Sequence, residues 1–441
     1  MGVFSFKGGV HPPYNKDLTN SKSIVPANLP KELVIPMSQH IGAPCEPTVA
    51  VGDNVKEGQL IGKSTSFVSA PIHSPTSGKV KKIEERLHPL SKKVLSVVIE
   101  PDGENEKVYM EPLGDDPAKI DAEKILERVK EAGIVGMGGA TFPTHIKFSP
   151  PKDKPIDTLI LNGCECEPYL TADHRIMLER GNDVVLGARM IAKVLKVKRI
   201  IIAIENNKPD AIEELKSLSS PYDIEVVATA TKYPQGAEKM LIKALLDREV
   251  PSGGLPMDVG VVVSNVGTSA AVCEAVRDGK PLIERVVTVT GNAVKKPGNF
   301  LSKIGIPIAS LVEQAGGVEG NLGKIIMGGP MMGISQPSMD VPIMKGSSGI
   351  LLLQKEDYMT LDFRACIKCS FCVRVCPVHL LPSTLSIIGE AKKWELAEKY
   401  GVNDCIECGS CAYVCPSKRP IVHFIKTTKA KLREIKAMEK K

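Results

Sequence analysis

Short β-prone segments dominate the first hundred residues of the chain. Between residues 33 and 99 they lie between turns, at 47–53, 55–62 and 72–80. Runs of this length, bounded by Gly, Pro, Asn or Ser, are typical of strands. The pattern predicts a β-rich module, which we place, together with the segment that precedes it, at residues 1–105.

The middle of the chain changes to longer elements. Continuous apolar strands alternate with helical stretches, which is the pattern of a largely parallel sheet covered on both faces. The predicted strands are 158–161, 199–204, 224–228 and 259–264, and the predicted helices are 121–131, 176–195 and 209–218. We therefore expect an α/β domain at residues 118–282, after a linker rich in Gly, Pro and acids.

Two further regions complete the chain. Segments 285–292, 308–314 and 323–327 suggest a small β-grasp-like module at residues 283–335. Helical segments within 385–400 connect two cysteine-rich loops, and we assign this region, 355–425, to a separate α-helical domain ahead of a basic tail at 426–441. The expected fold class is a multidomain α/β protein.

Composition fits this organisation. A chain of 441 residues corresponds to roughly three domains, and 43% hydrophobic with 24% charged residues is ordinary for a folded protein. The longest apolar runs, 200–204 and 259–263, are far shorter than the roughly 20 residues that cross a bilayer. The N-terminus has no basic region followed by a long apolar core. We expect no membrane span, no signal peptide and a cytoplasmic location.

The net charge of +6 is a mild excess, and the tail carries seven Lys and Arg against two Glu from residue 426 onward. A solvated terminal helix explains such a tail, and so does docking onto an acidic protein or an anionic membrane surface. Nucleic-acid binding is disfavoured, because aromatic residues make up only 4% and none interleave with a basic stretch.

Eight of the twelve cysteines form two runs with the same spacing. Both runs fit C-x-x-C-x-x-C-x-x-x-C-P, the spacing of two-cluster ferredoxins, in which the fourth cysteine of each run binds the other cluster. The first predicted [4Fe-4S] cluster lies on Cys366, Cys369, Cys372 and Cys415, and the second on Cys405, Cys408, Cys411 and Cys376.

Zinc and disulfides are the alternatives for these cysteines. Zinc sites generally use two C-x-x-C pairs, without a third cysteine and a Cys-Pro ending. Disulfides are disfavoured in a chain expected in the cytoplasm, where thiols stay reduced. Two clusters of this kind transfer single electrons, so the remainder of the chain should supply a donor or an acceptor.

A glycine-rich loop stands between a predicted helix and a predicted strand. Gly136, Gly138 and Gly139 leave backbone N–H groups free to approach a phosphate, and Lys147 adds a charge nearby. Position 141 is Thr, so the loop does not fit the dinucleotide fingerprint G-x-G-x-x-G. A tight turn without a ligand is the alternative interpretation.

Polar residues follow two predicted strands directly. Asn162, Glu165 and Glu167 come after strand 158–161, at the end where α/β sheets bind ligands. Asn265 directly follows the predicted strand 259–264, and it can either hydrogen-bond a flavin edge or cap the next helix.

Four cysteines lie outside the two runs. Cys164 and Cys166 form a C-x-C without a second pair nearby, so we interpret them as packed or free thiols. We interpret Cys45 and Cys273 in the same way.

The N-terminal module resembles the barrel-sandwich hybrid of biotinyl and lipoyl carriers. Aligning Ser74-Pro75 with the Ser-Pro of those carriers places Phe67 where the modified lysine would stand. The resemblance therefore implies a structural module without a swinging prosthetic arm.

Together these motifs resemble the C subunit of Rnf-type ion-translocating ferredoxin:NAD oxidoreductase complexes, which begins with a segment like Phe6-Lys-Gly-Gly-Val-His-Pro-Pro13 and ends with two ferredoxin runs. The middle region is similar to the NADH-binding flavoprotein subunit of respiratory complex I. Its glycine-rich loop departs from this chain at Thr141 and His145. Its N-A-D-E-x-E-P motif corresponds to Asn162, Glu165, Glu167 and Pro168, with Cys164 in place of the acidic residue.

The resemblance implies roles for individual residues. Gly136, Gly138, Gly139 and Lys147 would lie near the FMN phosphate, and Asn162 and Asn265 at the flavin. Glu165 and Glu167 would face the nicotinamide pocket, and Phe142 the adenine. The stretch from Tyr233 to Glu238 looks like a further loop of the nucleotide pocket.

The function implied is exchange of hydride between NADH and FMN, followed by single-electron transfer through the clusters. The implied partners are membrane subunits, another iron–sulfur subunit and, indirectly, ferredoxin, with the chain docked peripherally on the cytoplasmic face of the membrane. No side chain is needed as a catalytic acid, base or nucleophile. A soluble reductase with the same modules, like a cobalamin reductase, and a non-catalytic electron relay are the alternatives.

Overall fold

The N-terminal module is built from two small antiparallel sheets. The structure, a computed structural model, describes residues 3–357 and 363–439. The first strands are β1 (Ile24–Pro26), β2 (Leu33–Pro36), β3 (Glu46–Pro47), β4 (Asn54–Val55), β5 (Leu60–Lys63), β6 (Ile72–His73), β7 (Gly78–His88) and β8 (Lys92–Pro101). One sheet has the order β2-β8-β7-β4 and the other β3-β5-β6. Phe67 is 80% exposed in the loop after β5.

The α/β domain follows. Its elements are α1 (Ala122–Glu131), α2 (Thr144–Lys147), β9 (Thr158–Gly163), α3 (Ala172–Glu179), α4 (Gly181–Leu195), β10 (Arg199–Glu205), α5 (Pro209–Ser219), β11 (Ile224–Thr229), α6 (Glu238–Leu246), a 3₁₀ turn (Pro256–Val259), β12 (Val261–Asn265) and α7 (Val266–Arg277). The four strands are parallel in the order β11-β10-β9-β12. The predicted helix 176–195 is two helices, which meet at Arg180.

Alternate residues of each strand pack on opposite faces of this sheet. Ile200 and Ile202 belong to the core beneath the long helices α4 and α7, whereas Ile201 and Ala203 pack with Leu241 of α6. Both faces are therefore buried, as the continuous apolar strands predicted.

The next module is a six-stranded mixed sheet. Its elements are β13 (Glu284–Thr290), β14 (Gly298–Lys303), α8 (Ile308–Gln314), β15 (Leu322–Met327), β16 (Ile334–Ser335) and β17 (Gly349–Gln354), followed by a 3₁₀ turn (Lys355–Asp357). The order β1-β14-β13-β17-β15-β16 includes β1 and β17, which lie outside the predicted range 283–335. Leu33 and Val97 of the N-terminal module share one core with Val287 and Ile350 of this sheet, so the two modules pack as one unit.

The cysteine-rich domain is helical. It contains α9 (Phe371–Arg374), α10 (Pro382–Glu390), α11 (Trp394–Lys399), a 3₁₀ turn (Val402–Asp404), α12 (Ser410–Tyr413) and α13 (Ile421–Glu439). Helix α13 continues through the predicted boundary at 425/426, because Ile425 and Leu432 are buried against the domain. Residues 426–439 of the predicted basic tail thus belong to this domain, and residues 440–441 lie outside the described residues. In the described part of the chain, no helix has the length and apolarity that a membrane span requires.

Candidate functional site

The eight cysteines of the two runs line two cavities in the helical domain. The inner cavity is lined by Cys376, Cys405, Cys408 and Cys411, and the outer cavity by Cys366, Cys369, Cys372 and Cys415. Each cavity therefore combines the first three cysteines of one run with the last of the other, which is the pairing expected from the spacing.

Both loops fold around their cavity in the same way. The residues two and four places after the first cysteine have left-handed backbones: Lys368 (φ 56°) and Ser370 (φ 63°) in one loop, and Glu407 (φ 58°) and Gly409 (φ 84°) in the other. These turns aim N–H groups at sulfur, with Lys368 N donating to Cys366 Sγ at 3.4 Å and Glu407 N to Cys405 Sγ at 3.4 Å. Such N–H groups stabilise the negative charge of thiolate ligands.

The surroundings of the two cavities differ. Residues 405–411, the inner loop, are covered by other parts of the chain. Tyr233 Oη donates to Cys408 O at 2.7 Å, and Lys429 Nζ donates to Cys405 O at 2.9 Å. Residues 366–372, the outer loop, face solvent, with Ile367 66% and Phe371 45% exposed.

The glycine-rich loop lies at the surface of the α/β domain and is closed by two hydrogen bonds. Gly136 N donates to Phe142 O at 2.9 Å, and Met137 N donates to Thr268 Oγ1 at 2.9 Å. Within residues 3–357 and 363–439, the N–H groups of Gly138, Gly139 and Ala140 have no hydrogen-bond acceptor. All three residues are exposed.

The two asparagines meet at one edge of the sheet. Asn162 and Asn265 are register partners at the carboxyl ends of β9 and β12. Strand order reverses between these strands, and this switch point is where open α/β sheets form a ligand crevice. Asn162 Nδ2 donates to Gly236 O at 2.8 Å, and Gly138 packs so closely on Asn265 that a Cβ there would lie 2.8 Å from Nδ2.

Asn265 is a helix cap. Its Oδ1 accepts from Gly267 N at 2.8 Å and Thr268 N at 3.3 Å, and its Nδ2 donates to Asp173 Oδ2 at 2.7 Å. The capping interpretation of this residue therefore holds. Burial raises the pKa of its partner Asp173 to about 7.

Lys147 has a protein partner. Its Nζ donates to Glu238 Oε1 at 2.6 Å, with both side chains about one-third exposed. The lysine therefore does not present an unbalanced positive charge beside the glycine-rich loop, and an anion there would compete with Glu238.

Glu165 and Glu167 both accept hydrogen bonds from backbone. The Glu165 carboxylate accepts from Asp173 N at 2.7 Å and His174 N at 3.2 Å, at the start of α3. The Glu167 carboxylate accepts from Met331 N at 3.1 Å and Met332 N at 2.7 Å. Burial raises the pKa of Glu167 to about 7. Both carboxylates are therefore engaged by backbone donors of neighbouring segments.

The four remaining cysteines are buried free thiols, as predicted. Burial raises the pKa of Cys164 to about 12. Cys166 Sγ accepts a hydrogen bond from Gly236 N at 3.3 Å. Cys164 and Cys166 thus pack beneath the strand-end residues.

Curated proteins from two bacteria match nearly the whole chain. The C subunit of the proton-translocating ferredoxin:NAD(+) oxidoreductase complex of Clostridium ljungdahlii is 51% identical over 437 residues, which cover 99% of this chain and 96% of that protein. The C subunit of the Na(+)-translocating ferredoxin:NAD(+) oxidoreductase complex of Acetobacterium woodii is 48% identical, over 99% and 98% of the two chains. This chain belongs to the Rnf-type C-subunit family. The sequence resemblance is thereby confirmed.

Family models divide the chain of this C subunit into four parts. They are the RnfC barrel sandwich hybrid domain (4–104), the Nuo51 FMN-binding domain (129–274), the SLBB domain (286–335) and the 4Fe-4S dicluster domain (365–419). Each range lies inside one of the ranges expected from the sequence. The cofactors of the chain are accordingly FMN and two [4Fe-4S] clusters.

Solved structures support the fold. An NAD+-reducing [NiFe]-hydrogenase aligns in its air-oxidized state with a TM-score of 0.50 and 19% identity, over 70% of this chain and 63% of the other. Its H2-reduced state aligns with a TM-score of 0.50 and 20% identity, over 71% and 63%.

The residues present fit both kinds of cofactor. Four thiols with N–H groups aimed at sulfur suit a cluster in each cavity, and Leu380, Leu385 and Ile425 give the inner cavity an apolar wall. The unpaired N–H groups of Gly138 and Gly139 suit a phosphate. A Cβ at Gly139 would meet no atom of the described residues within 4 Å, so the loop leaves room for a ligand.

Thr141 is accommodated despite its difference from the flavoprotein loop. Its φ of 53° is left-handed, a conformation in which glycine is favoured. A Cβ at Gly346 would lie 2.2 Å from Thr141 Cγ2, so the glycine there leaves space for the threonine methyl. Phe142 is half-buried at the exit of the same loop.

Sequence reasoning missed several residues of this region. Lys16 Nζ donates to Glu165 O at 2.8 Å and to Glu167 O at 2.9 Å, which fixes the loop after β9. Arg285, which is 3% exposed, donates to Lys345 O at 2.7 Å behind the glycine-rich loop. Both lie more than a hundred residues from the motifs they support, so no local spacing could reveal them.

Proposed function

We propose that this chain is the subunit through which an ion-translocating ferredoxin:NAD oxidoreductase complex exchanges electrons with NAD(H). The family, the FMN-binding domain and the dicluster domain support the proposal. The observation that carries it is the segment Tyr233–Gly236, which contacts Asn162 at one end and Cys408 at the other. The strand-end site at Asn162 and the inner cavity are thus neighbours.

The residues of the α/β domain would bind and orient the nucleotides. Gly136, Gly138 and Gly139 would hold the FMN phosphate through backbone N–H groups. Lys147 would add positive charge once its hydrogen bond to Glu238 is broken. FMN, when bound, supplies the exchange between hydride and single electrons. Asn162 and Asn265 border the flavin in this proposal. Asn265 Nδ2 already donates one hydrogen to Asp173, so a hydrogen bond to the flavin would use its second N–H.

The pocket for nicotinamide is assigned to the same edge of the sheet. Glu165 and Glu167 would shape it by fixing the start of α3 and the segment Met331–Met332, with Phe142 beside the adenine. The two carboxylates would act through the backbone that they hold. Within the segment 233–238, Gly236 contacts Asn162 and would line this pocket, whereas the Tyr233 hydroxyl contacts Cys408 of the inner cavity.

The cysteines would hold the clusters in series. Cys376, Cys405, Cys408 and Cys411 would bind the cluster next to the α/β domain, and Cys366, Cys369, Cys372 and Cys415 the cluster at the surface. Hydrogen bonds to sulfur and different exposure would give the two clusters different potentials.

We assign the outer loop to the interface with another iron–sulfur subunit. Its exposed apolar residues have basic neighbours: Lys368 follows Ile367 in the sequence, and the Arg374 guanidinium lies 4.7 Å from the centre of the Phe371 ring. Residues 363–389 and 408–433 contain no Asp or Glu. A partner with an acidic surface around its own cluster would complement this loop in charge.

The same proposal gives the chain its place in the complex. Membrane subunits would anchor it at the cytoplasmic face, ferredoxin would exchange electrons through them, and the chain would stay peripheral. The tail helix α13, with Lys426 and Lys431 half-exposed, offers a basic surface toward an acidic partner or anionic headgroups.

An anaerobic NADH titration tests the proposal. The protein is reconstituted with iron, sulfide and FMN, flavin bleaching is followed by absorbance, and reduced clusters are followed by low-temperature EPR. We expect rapid bleaching and reduced-cluster signals. Clusters that dithionite reduces, beside a flavin that NADH never bleaches, would show that the chain only relays electrons.

A further inference from the structure

A short N-terminal segment lies between the α/β domain and the helical domain. Phe4 pairs with the end of β11, where Ala230 N donates to Phe4 O at 2.8 Å. Gly9 N donates to Val375 O at 2.8 Å in the helical domain. Val10 and Tyr233 exchange two backbone hydrogen bonds, at 2.8 and 2.9 Å. We call residues 8–10 the strap.

Two glycines allow the strap to pass this close. Gly8 (φ 88°) and Gly9 (φ 79°) are left-handed. A Cβ on Gly8 would lie 3.0 Å from Cys376 O, and one on Gly9 would lie 2.6 Å from Tyr233 O. Both surfaces of the strap are therefore in backbone contact, one with a cysteine of the inner cavity and the other with Tyr233.

Tyr233 continues this contact to a second cysteine of the same cavity. The residue is 1% exposed, and its hydroxyl donates to Cys408 O at 2.7 Å. Three residues later, Gly236 O accepts from Asn162 at the strand-end site. The four residues from Tyr233 to Gly236 thus connect the strand-end site to Cys408, a predicted cluster ligand.

The opposite side of the inner loop is held as well. Met331 O lies 2.9 Å from the Cβ position of Gly409, and Met331 N donates to the Glu167 carboxylate. Cys408 and Gly409 are therefore held between Tyr233 and Met331. The outer loop, residues 366–372, has no such support: in the described part of the chain its hydrogen bonds stay within the helical domain, and the strap reaches this cysteine run only beyond the loop, at Val375 and Cys376.

We propose that Tyr233, supported by the strap, is a positioning residue that fixes the inner cluster loop against the flavin-binding domain and thereby sets the rate of electron passage between them. The proposal rests on the proposed function. Electron tunnelling decays exponentially with the distance between donor and acceptor, so a small displacement of the loop slows the step. A hydrogen bond to a ligand's backbone carbonyl also changes the electron density at the cluster.

The electrons balance without a redox role for Tyr233. NADH gives NAD+, one proton and two electrons, and each [4Fe-4S] cluster accepts one of the two electrons. The tyrosine keeps its proton throughout, since burial raises its pKa far above neutral pH. The side chain only holds the loop in place.

The test uses Tyr233→Phe in the reconstituted full chain, because this change removes only the hydroxyl. Tyr222→Phe is the control, since Tyr222 lies in the same domain and is 40% exposed. Stopped-flow absorbance separates flavin bleaching by NADH from cluster reduction, and EPR of dithionite-reduced protein reports each cluster without NADH or flavin.

In Tyr233→Phe we expect flavin bleaching within about twofold of the parent and cluster reduction about tenfold slower. The EPR signal of one cluster should change and that of the other should not. Parental cluster reduction with an unchanged EPR spectrum would overturn the proposal. If NADH bleaches flavin in neither protein, the proposed function fails, while the dithionite EPR comparison still decides the role of Tyr233.

A second pair of variants tests the strap independently of the hydroxyl. Gly9→Ala places a methyl against Tyr233 O, whereas the methyl of Gly317→Ala, at a similar φ of 87°, meets no atom within 4 Å in the part of the chain that the structure describes. Backbone strain is therefore matched. We expect slower cluster reduction and an altered EPR signal only in Gly9→Ala, and equal behaviour of the two variants would contradict a positioning role of the strap.

Discussion

The two cysteine loops have the same spacing and nearly the same backbone, yet they occupy different environments. Ile367 of the outer loop is 66% exposed, whereas its counterpart Ile406 packs with Val10 and Tyr233 in a small apolar cluster. Phe371 is 45% exposed, and its counterpart Ser410 is fully buried. The ligand pattern alone does not distinguish the loops, so their different roles come from what packs on them.

The difference teaches how one repeated motif can serve two purposes. A cluster covered by its own chain is protected from solvent and held at a fixed distance from an internal donor. A cluster near the surface can approach the cluster of another protein. We therefore expect substitutions in equivalent positions of the two loops to have different consequences.

The largest expected effect comes from removing equivalent ligands. Cys411→Ala and Cys372→Ala change residues that are both 7% exposed. Loss of the inner cluster should slow NADH-driven reduction of the outer one more than about 100-fold, because the remaining step is longer. Loss of the outer cluster should leave NADH-driven reduction of the inner one. Rapid-freeze EPR measures both, with dithionite as the control, and equal rates in the two variants would remove the serial order.

The next effect concerns the fourth residue after the first cysteine. Gly409→Ala should lower the free energy of unfolding by about 2 kcal/mol, because a side chain in the left-handed region is strained and this one would contact Met331 O. Ser370→Ala should change it by no more than about 0.5 kcal/mol, since this position is exposed and already carries a side chain. Anaerobic denaturant unfolding, followed by cluster absorbance, checks the pair.

A smaller effect is expected at the outer surface. Ile367→Glu places a carboxylate beside Lys368 in a stretch, 363–389, that has no acidic residue, and should slow electron transfer to an acidic partner in the assembled complex about tenfold. Flavin bleaching should not change. Leu90→Glu, at a 57% exposed position of the N-terminal module, is the control. Transfer at the parental rate in Ile367→Glu would place the partner elsewhere.

The smallest effect is a pH dependence from Glu167, whose carboxylate holds Met331 beside the inner loop. Because burial raises the pKa of Glu167 to about 7, the folded state binds its proton more tightly than the unfolded chain. The stabilisation is complete below about pH 4.5 and is lost as the pH rises to about 7. Glu167→Gln lacks this titration, so we expect the stability of the parent relative to the variant to fall by about 1 kcal/mol between pH 6 and pH 7.

Thermal unfolding of both proteins across this pH range measures that difference. Asp173, whose pKa burial also raises to about 7, is present in both proteins and cancels in the comparison. A difference that does not vary with pH would show that the Glu167 carboxyl does not titrate in this range.

The elements of the α/β domain could be predicted from sequence because strand and helix patterns are local. Strands β9, β10 and β11 begin at the predicted residues, and the sheet is parallel as expected. The boundary at 283–335 did not capture the six-stranded sheet, because β1 and β17 join it from distant parts of the chain. Strand pairing over such separations leaves no periodic signal.

The candidate site likewise contains features that could be predicted from the sequence and features that could not. The pairing expected from the C-x-x-C-x-x-C-x-x-x-C-P spacing reappears in the two cavities. Short turns bring the first three cysteines of each run together, and this spacing is the one in which the fourth cysteine joins the other cluster. The partners of Lys147, Glu165 and Glu167 were not foreseeable, because Glu238, α3 and Met331 reach them only after the domains pack.

By itself, then, the sequence determined the family, the cofactors and the grouping of the cysteines, since these depend on residue types at short spacings. Only the tertiary structure decided which cysteine cavity lies beside the flavin-binding domain and which faces outward. That choice depends on Tyr233, the strap and Met331, which come from three distant segments and meet the inner loop only in the folded chain.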